Sequence, residues 1–360
     1  MTRSIRLLDG MIYDLGQVSQ ILAPRPLVFP DDWTQVAEAI PATPTEELTD
    51  FSLFADLSPL SASWWGDVRS NGWDIRATDD NNNLLPLDVV DFNKSLMTGF
   101  AVIKQTVTVT PGAIRLYAGS PTANKFARTS PFGQYAAYDS NFKAFWPDGG
   151  GIDRTANGFD LTQVGGAIVG GVAGVAGAKG TLYNGTTQRG VHLGEVVDTY
   201  PFTLIAWGKI LNTINGCCIA LVNDAGYSTR DMAEVRFRGA VAFDPITLLA
   251  FPSAGTGGVS VNTLTTYANN VFQHAAGRGV STTDRSVFLQ GGGRGDSVTS
   301  VPLSGMDLVS VGARAKSSAM DQGFAGTVSL AQVHGVDRSN AWIAYQSSMA
   351  NQGTFWGAWA

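Results

Sequence analysis

The sequence predicts an all-β protein, and three observations carry that prediction. Charged residues make up 15% of the 360-residue chain, against a usual share of about 25%. Glycine is abundant, at 42 residues. Between the glycines lie short runs rich in Val, Thr, Ile and aromatic residues, several with period two, the pattern of half-buried strands. At 44% hydrophobic, the chain has enough apolar surface to fill a large core.

Residues 1–49 read as an extended N-terminal arm. Two apolar stretches, at 5–8 and 11–15, are split by Asp9 and Gly10. Pro24, Pro26, Pro30, Pro41 and Pro44 follow, and proline disfavours both long helix and central strand. Residues 33–40 are expected to form one helical turn or two. The apolar bursts would be adhesive in water, so the arm is expected to dock on other proteins or on further copies of the chain.

Residues 50–146 read as a small β-sandwich. Phe51, Leu53, Ala55 and Leu57 alternate with more polar residues. The run IKQTVTVT at 103–110 alternates with period two and stops at Pro111-Gly112, and AIRLYA at 113–118 reads as its return strand in a hairpin. Trp64, Trp65 and Trp73 fall in one short stretch. On a strand, Trp64 and Trp65 point to opposite faces, so one of them meets a neighbouring domain, a subunit or a ligand. Aromatic faces also stack on sugars, which makes all three tryptophans candidate ligand-binding residues. Asp79, Asn81 and Asn83 alternate like the start of a calcium loop. Leu84 stands where that loop needs Gly, and Val90 where it needs Glu, so a polar turn is expected.

The PDGGG run at 147–151 reads as a flexible link. Residues 152–360 form the second domain, with strands expected near 202–210, 217–222, 233–237, 272–276, 286–289, 308–311 and 328–333. Asp337 or Ser339 caps a helix carrying Trp342, Ile343 and Tyr345. Cys217 and Cys218 are adjacent in a strand and face opposite ways. A bridge between them would be strained, so both are expected as thiols. Trp207 shares a strand face with Ile205 and is expected in the core.

Several motifs in this second part match a known pattern. DRTANGFDLT from Asp153, FTLIAWGK from Phe202, FQHAA from Phe272, FAGTV from Phe324 and SNAWI from Ser339 together resemble the laminin-G-like domains of the concanavalin A-like class. Phe272 stands where that family usually has Trp, and Gln290 where it has Asn. The resemblance implies a jelly-roll sandwich. It also implies a possible Ca²⁺ at a loop rim, for which Asp224 and Asp321 are the candidates. WDIRATDDNNNLLP from Trp73, followed by the runs at 103–110 and 113–118, resembles an uncharacterised β-domain of bacterial and phage proteins. In that family the domain often sits directly ahead of a laminin-G-like domain.

Composition and spacing narrow the function. Net charge is −6 with no basic block, which disfavours nucleic acid. No stretch of 18 apolar residues exists, so membrane insertion is not expected. The N-terminus carries Asp9 and Asp14 and lacks the apolar core of a signal peptide. Retaining glycosidases need carboxyls about 5–5.5 Å apart. Glu195/Asp198 and Asp231/Glu234 are three residues apart and face opposite ways on a regular strand. Only His192, His274 and His334 are available for a triad, and no G-x-S-x-G is present. In the glycine-rich run at 165–180, Lys179 follows Ala178 rather than the glycine a phosphate loop needs. Arg294–Ser297 spells RGDS, expected on a turn. The sequence thus points to a non-enzymatic structural protein of a phage or phage-like particle, located on the virion. Its role is surface decoration or host attachment, as capsid cement, head fibre or tail fibre, with a cell-surface glycan as a ligand and no organic cofactor. A bacterial carbohydrate-binding adhesin module and a concanavalin A-like glycoside hydrolase are the alternatives.

Overall fold

The computed structural model describes residues 4–6, 12–14, 33–211, 215–224, 231–239, 244–252, 257–315 and 319–360. Most of the arm, read at 1–49, therefore lies outside the described residues. The residues from 153 onward build two facing antiparallel sheets. One orders Val169–Ala173, Lys179–Asn184, Ala325–His334, Phe202–Ile210, Gln273–Ser281, Asp284–Leu289 and Gly292–Ser297, with an eighth strand joined to Ala325–His334. The other orders Thr162–Val164, Arg189–Leu193, Leu308–Val311, Gly216–Val222, Met232–Phe237, Pro245–Phe251 and Val259–Thr266. Alternate residues of both sheets, among them Leu204, Ala206, Leu221, Val235, Leu248 and Val309, meet between them. The all-β class and the two-sheet sandwich expected from sequence are thus present.

A smaller unit precedes it. Leu48–Asp56, Thr98–Val107 and Leu87–Asn93 form a three-stranded sheet, and Gln35–Ala39, Ile114–Ala118, Arg76–Thr78 and Leu84–Leu85 a four-stranded one. The two sheets share one core around Phe54, Ile103 and Leu116.

Five local expectations are corrected. The runs at 103–110 and 113–118 do not pair as a hairpin: the chain crosses between sheets at the Pro111-Gly112 turn. Residues 35–39, expected as helix, are a strand antiparallel to Ile114–Ala118. Phe142–Trp146, at the end of the stretch read as the first domain, pairs with Ala325–His334 in the large sheet. The PDGGG link is a packed corner. A Cβ on Gly149 would stand 2.2 Å from the Val328 carbonyl oxygen, and the Tyr183 hydroxyl donates to the Gly149 carbonyl. Opposite it, the large sheet bulges near Leu330 (φ 50°), whose N–H donates to the Pro147 carbonyl at 2.9 Å. Finally, RGDS lies on the edge strand Gly292–Ser297.

The helix after the last long strand is Asn340–Ser348, capped as expected by Ser339, whose hydroxyl accepts from Trp342 N. It does not pack inside the sandwich. Trp342, Ile343, Tyr345 and Met349 join Ile205 and Trp207 in the core of the small unit. Further on, Asp56 N donates to Gln352 Oε1 at 2.8 Å, and Trp356 Nε1 to the Phe54 carbonyl at 2.8 Å. Glu38 and Ala360 exchange backbone hydrogen bonds. The outer face of the large sheet, the small unit and the C-terminal segment therefore share one continuous core.

Candidate functional site

The described residue that best combines an aromatic face with solvent access is Trp73. It follows a tight turn in which Asn71 Oδ1 accepts from Trp73 N at 3.1 Å. Gly72, at φ +66°, lies flat on the Phe92 ring, where a Cβ would come within 3.0 Å. Both the backbone sign and the space demand glycine there. The result is a Trp73 side chain 45% exposed at the rim of a pocket of about 300 Å³.

The pocket is walled by elements far apart in sequence. Arg76, buried on the strand after Trp73, donates to the carbonyls of Trp73 and Ile75 at 2.9 and 2.8 Å and to that of Asn124 at 2.5 Å. Its guanidinium stacks over Phe126 at 4.2 Å. Burial lowers its pKa, which Asp74 partly opposes, and the group stays cationic. Phe126 and Phe132 add a tilted aromatic pair at 5.8 Å. Gly133 then lets the loop close, since a Cβ would meet the Ala127 carbonyl oxygen at 2.0 Å. Deeper in, Asp88 holds Arg154 by two hydrogen bonds and accepts from the Tyr138 hydroxyl at 2.8 Å. Burial, then the Asp88 charge, pushes the Tyr138 phenol well above its usual range, so it remains a donor.

Of the three tryptophans read as ligand candidates, only Trp73 presents a face to solvent. Trp64 and Trp65 are not on a strand. They lie on the helix Ala62–Asp67, capped by Ser61, with 1% and 2% of their surface exposed. Helical neighbours need not face opposite ways, and here both turn inward, with ring centroids 5.3 Å apart. Trp65 stacks on Phe92 at 5.2 Å and so backs the ring beneath Gly72. The polar run at 79–83 is a turn, as expected: Asp79 Oδ1 accepts from Asn81 N and Asn83 N.

The two calcium candidates are both engaged with protein partners. Asp321 forks onto the Arg314 guanidinium, which occupies both of its carboxylate oxygens. Asp224 meets Asp307 through its backbone N–H. Among the described residues no group of three His, Cys, Asp or Glu side chains is arranged to hold a metal. Glu234 is fully buried between Arg236 and Arg314, at 3.4 and 3.6 Å, and burial raises its pKa against both cations. Asp198 accepts from Gly305 N. None of the four carboxylates Glu195, Asp198, Asp231 and Glu234 lines the Trp73 pocket. His274 packs edge-on against Trp207 at 4.5 Å, and burial lowers its pKa to about 3. Cys217 and Cys218 are free thiols in two different clusters, and burial pushes Cys218 up to about 12.

The motif at Asp153 has a structural role. Asp153 Oδ1 accepts from Phe145 N and Thr155 N, and Oδ2 from Phe159 N. It thereby ties the joining strand Phe142–Trp146 to the start of the sandwich.

No family model matches the chain, and no curated protein matches it by sequence. Among solved structures it is similar to domain 4 of a GH43 extracellular arabinanase from Geobacillus stearothermophilus, in complex with arabinotriose. Identity there is 16% over 59% of this chain and 100% of that one, with a TM-score of 0.46. A CBM40 of a Ruminococcus gnavus sialidase, bound to α2,3-sialyllactose, shares 11% over 42% of this chain and 84% of that one, TM-score 0.36. The binding domain of Paraclostridial Mosquitocidal Protein 1 shares 12% over 57% and 51%, TM-score 0.42. The sandwich is established by its own sheets and owes nothing to these distant likenesses.

Proposed function

We propose that the chain is a non-enzymatic adhesive protein that holds a glycan in the pocket beside Trp73. One observation carries this reading: an indole face, half open to solvent, borders a walled pocket with aromatic and polar groups on its other sides. That combination suits sugar rings, whose C–H faces stack on aromatics while their hydroxyls seek polar partners. A purified full chain is expected to bind at least one member of a broad immobilised glycan panel without shortening it. Trp73→Ala should weaken that binding by roughly tenfold or more, a loss of about 1.4 kcal/mol or greater. Because Trp73 is half exposed, the variant should fold like the parent. Panel-wide silence from the parent, or equal binding by the variant, would sink this reading, and appearance of shorter products would make it an enzyme.

In the same proposal the protein decorates or attaches a phage or phage-like particle, and the arm seats it there against virion proteins or further copies of the chain. The described strand Gln35–Ala39 belongs to the small unit, so a fair arm deletion stops at residue 32. That truncated chain is expected to keep its glycan binding and fail to join the particle. Undiminished incorporation would remove the arm from the proposal.

A further inference from the structure

A second depression, of about 250 Å³, lies beside the Trp73 pocket on the seam between the small unit and the sandwich. The two depressions share Val90 and Asp91 as lining residues. Their common wall is a single buried network. Asp88 faces the first depression and Arg154 the second, and they are joined at 2.5 Å. Gln134, on the first side, donates its amide to the Arg154 carbonyl at 2.9 Å. The Asp88–Arg154 salt bridge is largely buried, with 0% and 16% of the two side chains exposed.

Three features of this double depression point to one kind of occupant. First, Gln134 lines the first depression and is 4% exposed, and its buried Oε1 has no hydrogen-bond partner. A buried carbonyl oxygen left open asks for a donor from a ligand, and a sugar hydroxyl is such a donor. Second, charges of both signs line the track and nearly cancel: Asp88, Asp91 and Asp148 stand with Arg76, Lys125, Arg154 and Lys179. Asp88 is held by Arg154, and Asp91 by Lys179 at 2.9 Å. A track whose charges nearly cancel offers no strong field of one sign to a charged ligand. Third, each depression has an exposed apolar side chain in its lining: Trp73 in the first and Ile152, 65% exposed, in the second.

From this geometry we infer that the two depressions form one continuous binding track for a neutral, hydroxyl-rich linear chain, an oligosaccharide laid across both units. This rests on the glycan reading above and adds to it the ligand's length and charge. The Asp91–Lys179 pair, which itself bridges the two units, sits at mid-track. The chain would run from Trp73 past Gln134 and across Asp91 to Ile152.

The test uses the full-length protein and isothermal titration. The probes are malto-, cello- and xylo-oligosaccharides from mono- to hexasaccharide, with sulfated oligosaccharides of the same lengths as charged counterparts. Affinity for at least one neutral series is expected to rise roughly tenfold on lengthening and then level off. It should change little with salt. Lys179→Ala and Ile152→Ser, both at exposed positions, should erase the gain on lengthening and leave the shortest binder unaffected. Trp73→Ala should weaken every length. Binding that does not tighten with length, or tightening that survives both seam variants, overturns the continuous track and leaves the Trp73 pocket standing. Binding confined to the sulfated series and lost in salt overturns the neutral ligand. No binding of any probe, charged or neutral, overturns the track together with the glycan reading.

Discussion

Trp207→Ala is expected to lower stability by about 3–5 kcal/mol, as truncation of a buried aromatic does. Trp207 has no exposed surface. It sits at the middle of the strand Phe202–Ile210, opposite His274 on one neighbour and Ser329 on the other. Its ring does not point into the space between the two large sheets. It points outward, to Phe54 of the small unit at 6.2 Å and across His274 at 4.5 Å. The indole N–H has no partner, so its removal strands no hydrogen-bond acceptor, and the loss is one of packing. Because this core is shared, the variant should weaken both units together. Urea unfolding followed by fluorescence and by far-UV circular dichroism should give one coincident transition at lower urea. A variant that melts like the parent would show the core to be misplaced. Separate transitions, with the sandwich alone keeping its parental midpoint, would show that the units do not share it.

Much of the sandwich was legible because its strands are long and strongly patterned. The runs at 202–210, 217–222 and 308–311 have the apolar, β-branched character of strands buried on both faces. The side of the sheet that Trp207 occupies was not legible, since alternation separates two faces without saying what covers each. The same limit produced the false hairpin. Residues 103–110 and 113–118 both read as strands, but each finds its partners in a different sheet, and period two is blind to partner choice. Phe142–Trp146 was assigned by proximity to a glycine-rich run that looked like a boundary. That run is close-packed backbone, a use of glycine that composition cannot distinguish from flexibility. At the site, Trp73 was visible as an aromatic in a polar stretch. Gln134, Phe126 and Phe132 were not, because the residues from 119 to 134 have no period to read. Trp64 and Trp65 lie on a helix rather than a strand, and its signal in the sequence is Ser61, a capping residue type three positions before Trp64.

Asp139→Ala is expected to cost about 3–5 kcal/mol, because it leaves a desolvated guanidinium without its counter-ion. Arg338 and Asp139 keep only 9% and 7% of their side-chain surface exposed, and Arg338 Nη2 reaches both carboxylate oxygens at 2.8 and 2.7 Å. The pair is set in a wider network. Arg338 Nε donates to His334 Nδ1 at 3.2 Å, and the guanidinium lies 4.5 Å over Trp342. His334 is held neutral, since burial and the Arg338 charge both push its pKa far down. Its other nitrogen lies 3.1 Å from Gln332 Oε1, which also accepts from Gln346. One ion pair thus fixes the last residue of the central strand, the C-terminal helix and the turn before Phe142–Trp146. Asp139 also accepts from Asn141 N and Phe142 N in that turn, so part of any loss belongs to the turn. Asp139→Asn keeps an acceptor for the turn while removing the charge, and should fall between parent and Asp139→Ala. A double-mutant cycle with Arg338→Met separates the two contributions, because removing both charges of a buried pair costs less than removing one. The stabilities should therefore be strongly non-additive, with the double variant above Asp139→Ala alone. A single-variant loss under about 1 kcal/mol, the range of an exposed pair, would mean that water reaches Arg338 and that the junction is looser than drawn.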